Sequence, residues 1–136
     1  MIHVVSFVYC DAVEQPGNIT KLVTPLQFLN PISFPTQYSF SVSFGLFDLT
    51  EYTELPLRYD FLNAQGNVVY SSGDITINLL EFKNNMSHLG LQLNFEIKNA
   101  FLEAPGEYKS VLYIQNKEHG TFPIIAVSKE TGDLNG

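Results

Sequence analysis

The chain has 136 residues, of which 45% are hydrophobic and 15% charged, so it has enough apolar surface to fold as one domain and is not expected to be disordered. Its 14 acidic and 7 basic residues give a formal net charge of −7. That balance argues against nucleic acid and anionic membrane surfaces as partners, because both are bound by clustered lysine and arginine.

Cys10 is the only cysteine, which excludes an intrachain disulfide and a cluster of thiolate metal ligands. The first residues lack the basic segment of a secretory signal, and no apolar run reaches the roughly 18 residues of a membrane span. We therefore expect a cytoplasmic protein whose single domain covers residues 1–128, followed by a polar tail over residues 129–136.

The predicted elements are strands, and the first, residues 4–10, is apolar on both faces. Four later segments alternate apolar and polar side chains, which is typical of strands with one buried and one solvated face. These segments are residues 38–46, 55–61, 75–79 and 89–97. Residues 108–114 are again apolar on both faces, and in the last apolar run, residues 122–127, Pro123 favours a sheet edge.

Turn residues separate these strands about every eight to twelve positions, and no window of ten or more residues has the apolar spacing of a helix. The pattern predicts an all-β fold, a single antiparallel β-sandwich of about seven to nine strands that is immunoglobulin-like. We expect the core to consist of the inward faces of these strands. Its predicted members are Phe7, Tyr9, Phe40, Val42, Phe44, Leu57, Tyr59, Phe61, Leu91, Leu93, Phe95, Leu112 and Ile114.

The loop at Pro105 and Gly106 narrows the choice among all-β folds. Pro105 and Gly106 form a turn, and Tyr108 opens the apolar strand that follows. This arrangement resembles the tyrosine corner of immunoglobulin-like sandwiches, in which the tyrosine hydroxyl bonds to the preceding backbone and fixes the crossover between sheets. An ordinary turn before a strand is the alternative interpretation.

No catalytic group is recognisable from the spacing of nucleophiles and bases. Cys10 would need a histidine within hydrogen-bond reach to act as a nucleophile. His3 is expected in the same strand but about 20 Å away and on the opposite face, while His88 and His119 are expected in loops. Cys10 is therefore interpreted as a small buried hydrophobic side chain, and the protein is not predicted to be an enzyme.

Metal and cofactor sites are not predicted either, because the three histidines are isolated and no glycine-rich nucleotide loop occurs. One acidic loop carries Asp48, Glu51 and Glu54, and carboxylates on a sandwich loop can hold calcium. A single loop rarely supplies the roughly six oxygen ligands that calcium needs. A solvated acidic loop is therefore the favoured interpretation.

The leading hypothesis for function is a non-enzymatic binding or assembly module that has a protein partner or associates with itself. The low share of charged residues and the strands that are apolar on both faces favour this hypothesis. The expected contacts are the acidic loop with Tyr52 and the strand edge around Phe122, where unpaired backbone groups can take up a partner strand. The alternative is a small-ligand or carbohydrate-binding module assisted by calcium, although the tryptophan that favours sugar stacking is absent.

Four short motifs are spread over nearly the whole chain. They are Tyr9-Cys10-Asp11-Ala12, Gly17-Asn18-Ile19, Leu57-Arg58-Tyr59-Asp60 and Pro105-Gly106-Glu107-Tyr108. In these motifs the chain resembles a family of small bacterial proteins of unknown function. The resemblance implies an immunoglobulin-like sandwich, and it implies no activity and no functional residues.

Overall fold

The structure is a computed structural model. The residues it describes are 2–17, 19–49, 51–81 and 90–128. Within these ranges the chain forms ten β-strands and one short 3-10 turn, Leu79–Glu81, so the all-β prediction is confirmed. His88 and the predicted tail over residues 129–136 lie outside the described residues.

The strands form two sheets. In chain order the strands are β1 (His3–Glu14), β2 (Lys21–Pro25), β3 (Phe28–Leu29), β4 (Thr36–Phe47), β5 (Glu54–Leu62), β6 (Val68–Ser71), β7 (Ile75–Asn78), β8 (Leu91–Leu102), β9 (Gly106–Ile114) and β10 (Lys117–Ala126). The first sheet has the order β2-β1-β4-β8. The second sheet has the order β3-β10-β9-β5-β6, and β7 also pairs with β5.

Two details of the predicted fold are wrong. The described residues contain ten strands, more than expected, because β3 and β6 have only two and four residues and are too short to show an alternating pattern. The second sheet is mixed and not wholly antiparallel, because β3 runs parallel to β10 with Phe28 beside Ile125. The early part of the chain is thereby paired with the last strand.

Side chains from the two sheets meet in one core. The ring of Phe40 in β4 lies 5.0 Å from that of Phe61 in β5, and the ring of Phe95 in β8 lies 5.5 Å from that of Tyr59 in β5. The alternating pattern therefore assigned the inward faces of these strands correctly. The buried members of the predicted core are Tyr9, Phe40, Val42, Phe44, Leu57, Tyr59, Phe61, Leu112 and Ile114.

The remaining predicted members pack against the core but are only partly buried. They are Phe7, Leu91, Leu93 and Phe95. The last three belong to β8, which lies at the edge of the first sheet and so has neighbours on one side. The predicted core also lacks several fully buried leucines. Among them are Leu29, Leu49 and Leu79, which lie in a two-residue strand, a loop and a 3-10 turn and so give no periodic signal.

A β-bulge in β1 changes which side chains face the core. Val5 pairs with Gly45 and Val8 pairs with Ser43, so three steps in β1 oppose two steps in β4, and Ser6 takes up the extra residue at a φ of 53°. An extra residue shifts the alternation by one position. His3 and Cys10 therefore lie on the same outer face of the first sheet, and the expectation that they lie on opposite faces is wrong.

A chain of three hydrogen bonds crosses the core between the sheets. The hydroxyls of Tyr9 and Tyr59 each lie 2.6 Å from Ser110 Oγ, and the Tyr9 hydroxyl donates to the carbonyl of Phe122 at 2.5 Å. The carbonyl of Phe122 can only accept, so the Tyr9 hydroxyl donates its single proton to it. In its bond with Ser110 the Tyr9 hydroxyl must therefore accept. Ser110 must then accept from Tyr59. The direction from Tyr59 through Ser110 and Tyr9 to Phe122 is thus fixed by proton counting.

Both phenols of this chain resist ionisation. Burial raises the pKa of Tyr9 and of Tyr59 above their ordinary value of 10.0. The native state therefore keeps protons that the unfolded chain releases above that pH. The stability contributed by the neutral phenols is fully present below pH 10.0 and is lost as the pH rises above it.

We expect the free energy of unfolding to fall steeply above pH 10.0, as measured by urea titration at a series of pH values. Absorbance at 295 nm should show that two tyrosines ionise only when the protein unfolds. In a Tyr9→Phe, Tyr59→Phe double variant the fall should be shallower, because both groups with raised pKa are removed. Ionisation of every tyrosine before unfolding would contradict the hydrogen-bond chain.

The predicted corner at Tyr108 has the expected hydrogen bond. The Tyr108 hydroxyl donates to the carbonyl of Ala104 at 2.7 Å, and the tyrosine is buried. Gly106 between them has a φ of 142°, a conformation that side chains disfavour. The bond therefore ties the loop before β9 to the strand it precedes.

We expect Tyr108→Phe to lower the free energy of unfolding by about 1 kcal/mol, because the buried tyrosine loses its hydrogen bond to the carbonyl of Ala104. The change is measured as a shift of the urea midpoint. Tyr113→Phe in the same strand serves as the control and should leave the midpoint unchanged. Equal midpoints for Tyr108→Phe and the wild type would show that the corner bond contributes nothing.

Candidate functional site

The acidic loop between β4 and β5 does not gather its carboxylates. Glu51 and Glu54 are exposed, and Glu54 opens β5 opposite Asn78. Asp48, also exposed, has a φ of 71°. Across the described residues, no three His, Cys, Asp or Glu side chains lie close enough together to hold a metal ion. The geometry thus offers no ligand set for the calcium alternative.

Tyr52 in this loop is less available than its sequence position suggested. Its side chain is half-buried and packs against the core, and its backbone N–H donates to the carbonyl of Leu49 at 3.1 Å. Leu49 itself is fully buried. The loop is therefore anchored by these two residues, and the exposed part of it is acidic.

Phe122 lies in β10, at the place where an edge was expected. β9 pairs along one side of β10, and on the other side the described pairing is limited to β3 at Ile125 and Ala126. The ring of Phe122, however, stacks on that of Phe7 at 4.1 Å and is only partly exposed. The Phe122 side chain thus packs against the core. The exposed side chains beside it in β10 are those of Thr121 and Pro123.

Cys10 has no exposed surface. Burial, with a smaller effect of the Asp11 carboxylate, raises the pKa of its thiol, which favours the unreactive protonated form. His119 lies in β10 and not in a loop as expected, and its Nδ1 is 3.0 Å from the carbonyl of Lys117.

A cluster on the outer face of the second sheet joins the only arginine of the chain to an aromatic ring and two carboxylates. We call it the Arg58 cluster, and its members are Arg58, Asp60, Ser71, Asp74 and Tyr113. The guanidinium carbon of Arg58 lies 4.3 Å from the centroid of the Tyr113 ring. The Arg58 Nε donates to Asp60 Oδ2 at 3.2 Å, and Nη1 is 3.8 Å from Asp74 Oδ1.

Asp60 holds the cluster in place. Its side chain is only 8% exposed, and both carboxylate oxygens have donors, because Ser71 Oγ donates to Oδ1 at 2.6 Å while Arg58 reaches Oδ2. A buried charge is tolerated only when it is paired and hydrogen-bonded. Arg58 is therefore held by Asp60 and Tyr113, and its side chain is still partly exposed.

A pocket of about 210 Å³ adjoins this cluster. Arg58, Asp74 and Tyr113 form part of its wall, with Pro56 and Asn116 beside them. The sequence analysis assigned no site to Arg58 and Asp60, and it placed Tyr113 in a strand that is apolar on both faces. The available signal was that the single arginine stands two positions before an aspartate in a strand, which places both on one face.

We expect Arg58→Leu to lower the free energy of unfolding by about 1–3 kcal/mol, because it leaves the Asp60 carboxylate buried with a single donor. Adding Asp60→Asn to that variant should recover part of the loss, since the buried charge is removed. Urea midpoints measure both effects. Lys98→Leu is the matched control, because its ion pair with Glu96 at 3.0 Å is exposed and contributes little.

A double variant no more stable than Arg58→Leu would show that the charge of Asp60 is not compensated by Arg58.

No helix among the described residues is long and apolar enough to cross a membrane.

Two sheets with a shared core and a polar cluster on one outer face make this chain an all-β protein of two facing sheets. The chain belongs to a family of unknown function, DUF6941, whose model matches residues 5–127. This confirms the resemblance to a family without assigned activity. No curated protein matches the chain.

Solved structures share the fold at very low sequence identity. One is the Pseudomonas fluorescens alkylpurine DNA glycosylase AlkC bound to DNA containing an abasic site analogue, with a TM-score of 0.51 and 9% identity over 93% of this chain. Another is the β-glucosidase from Listeria innocua, with a TM-score of 0.53 and 8% identity over 93% of this chain. The chain matches 30% of the glycosylase and 16% of the glucosidase. These likenesses show the fold alone.

Proposed function

We propose that the protein is an immunoglobulin-like β-sandwich and a non-enzymatic binding module that docks a protein partner on the outer face of its second sheet. The strand order β3-β10-β9-β5-β6, with β3 parallel to β10, supports the sandwich assignment. The bond from the Tyr108 hydroxyl to the carbonyl of Ala104 also supports it, since it reproduces a tyrosine corner.

The observation that carries the proposed interface is the rigid Arg58–Tyr113 pair. Arginine and tyrosine are enriched among residues that dominate protein interfaces, where they sit in well-packed positions. Arg58 has few conformations left, because Asp60 and Tyr113 hold its guanidinium. A side chain that is already ordered loses less entropy on binding, so the pair is suited to anchor a partner.

The rest of the same face supports a protein rather than a small ligand. Phe28 and Ile125 lie side by side where β3 meets β10, and both are almost half exposed. From Glu107, the β9 partner of Ile125, to Tyr113 the strand extends about 20 Å. The apolar pair Phe28 and Ile125 and the Arg58–Tyr113 pair are separated by that distance, which fits contact with an extended protein surface. In such a contact the N–H groups of Arg58 would donate to acceptors on the partner.

The test compares what the wild-type chain and its Tyr113→Ala variant capture from lysate of the source organism, with quantitative mass spectrometry as the readout. Tyr113→Ala removes the ring from the anchor while Asp60 keeps its pairing with Arg58. Lys21→Ala, an exposed change in the first sheet, is the control. Sedimentation velocity on the same three proteins detects self-association through the same face.

We expect Tyr113→Ala to reduce one captured partner, or the self-associated fraction, about tenfold, which corresponds to about 1.4 kcal/mol. Lys21→Ala should behave like the wild type. Equal capture and equal association by Tyr113→Ala and the wild type would refute this interface. A Glu51→Ala variant in the same experiment tests the acidic loop as an alternative contact.

A further inference from the structure

The guanidinium of Arg58 has donors that no other described residue uses. Its Nε donates to Asp60 Oδ2 at 3.2 Å. Nη1 lies 3.8 Å from Asp74 Oδ1, which is too long for a hydrogen bond. A guanidinium carries five N–H groups, so the N–H groups on Nη1 and Nη2 have no acceptor within the described part of the chain. The Arg58 side chain is 37% exposed, so a ligand can contact it.

The pocket beside Arg58 contains two further polar side chains. Thr76 and Asn116 line it, both are exposed, and neither side chain is hydrogen-bonded to another described residue. Pro56 and Ile75 supply apolar parts of the wall. The volume of about 210 Å³ is below the roughly 300–1,000 Å³ of pockets for drug-sized ligands. The pocket therefore suits a single side chain or a chain end.

Asp74 lies on a loop that is tied to the same buried carboxylate as Arg58. Ser71 Oγ donates to Asp60 Oδ1 at 2.6 Å and accepts from the backbone N–H of Gly73 at 3.0 Å. Asp74 follows Gly73, and its side chain is 86% exposed. The backbone beside Asp74 is thus anchored. Its carboxylate can still turn away, because its one described polar contact is the long one with Arg58.

The guanidinium of Arg58 selects a carboxylate as its ligand. Its paired N–H groups are planar and match the two oxygens of a carboxylate, with which they form two charge-assisted hydrogen bonds. Asp74 already places a carboxylate near these groups without a hydrogen bond. An exposed ion pair of this kind contributes little to stability. An incoming carboxylate that makes both hydrogen bonds can therefore displace Asp74.

The charges around the pocket narrow the ligand further. Asp60 and Asp74 lie beside Arg58, and Glu118 of β10 is opposite Tyr113, so three carboxylates lie around one arginine. The whole chain has a net charge of −7. A phosphate group, with about two negative charges, or a run of acidic residues would be repelled. A single carboxylate between neutral or basic residues matches this surface, because basic neighbours would attract Glu118.

We propose that the pocket beside Arg58 binds a single carboxylate of the protein partner, from an acidic side chain or from a chain terminus, whose sequence neighbours are neutral or basic. This inference rests on the proposed function, because it names the chemistry by which the partner contacts the Arg58–Tyr113 pair. The N–H groups of Arg58 bind the two carboxylate oxygens, and Thr76 and Asn116 are the further donors. Asp74 is a built-in competitor that the partner displaces.

The test is a peptide titration of the full chain followed by nitrogen-15 correlation NMR, read at the Arg58 Nε–H and at the backbone amides of Thr76 and Asn116. Ala-Asp-Ala with both ends blocked presents a side-chain carboxylate. Ala-Ala-Ala blocked only at its amino end presents a C-terminal carboxylate. Fully blocked Ala-Asn-Ala, which has no charge, is the control peptide.

Three variants are compared with the wild type. Arg58→Lys keeps a positive charge near Asp60 but loses the planar pair of donors. Asp74→Asn removes the competing carboxylate. Asp11→Asn, at an exposed position of the first sheet, changes the net charge of the chain by the same amount and serves as the matched control.

We expect at least one carboxylate peptide to bind with a dissociation constant in the millimolar range, and the peptide that binds identifies the source of the carboxylate. Binding should be about tenfold weaker in Arg58→Lys, about threefold tighter in Asp74→Asn and unchanged in Asp11→Asn. Absence of shifts with both carboxylate peptides would overturn the proposal. Equal tightening in Asp74→Asn and Asp11→Asn would overturn it too, since net charge alone would then govern binding.

The capture experiment described above separates this proposal from the proposed interface. Asp74→Asn should capture more of the partner that Tyr113→Ala loses. Loss of the partner in Tyr113→Ala together with no peptide binding would support the interface and refute the carboxylate site. Peptide binding together with unchanged capture by Tyr113→Ala would support the carboxylate site and refute the interface.

Discussion

The hydrogen-bond chain from Tyr59 through Ser110 and Tyr9 to the carbonyl of Phe122 constrains how the two sheets can pack. Three hydroxyls with one proton each satisfy one another only when β1, β5, β9 and β10 are in register. A displaced sheet would leave phenols buried without partners, at a cost of about 1–3 kcal/mol each. The apolar rings around the chain tolerate several arrangements, so the polar groups select one of them.

That fixed core leaves both outer faces free to differ. On the second sheet a buried carboxylate, Asp60, immobilises Arg58 beside Tyr113, which yields a rigid, charged surface. On the first sheet the amide oxygen of Asn94 in β8 is buried without a hydrogen-bond partner. A rigid anchor of the kind formed by Arg58 and Tyr113 suits a protein surface as its ligand.

The fold class and most inward faces follow from the alternating pattern, because long strands such as β4 and β8 repeat it over many residues. The corner at Tyr108 was also predictable, since a Pro-Gly turn before a tyrosine carries local chemistry. The bulge at Ser6 was not, because an extra residue in one strand is defined only by its partner. The Arg58 cluster depends on neighbours far apart in sequence, so no local pattern indicates it.

The position of β10 has a consequence for synthesis of the protein. This strand supplies the final acceptor at Phe122 and the parallel partner of β3, so neither sheet contact is complete before residue 126 has left the ribosome. A nascent chain that carries β1 to β9 exposes aromatic side chains meant for the core, and such intermediates are prone to aggregate. The protein is therefore expected to be most prone to aggregation during synthesis, before β10 is available.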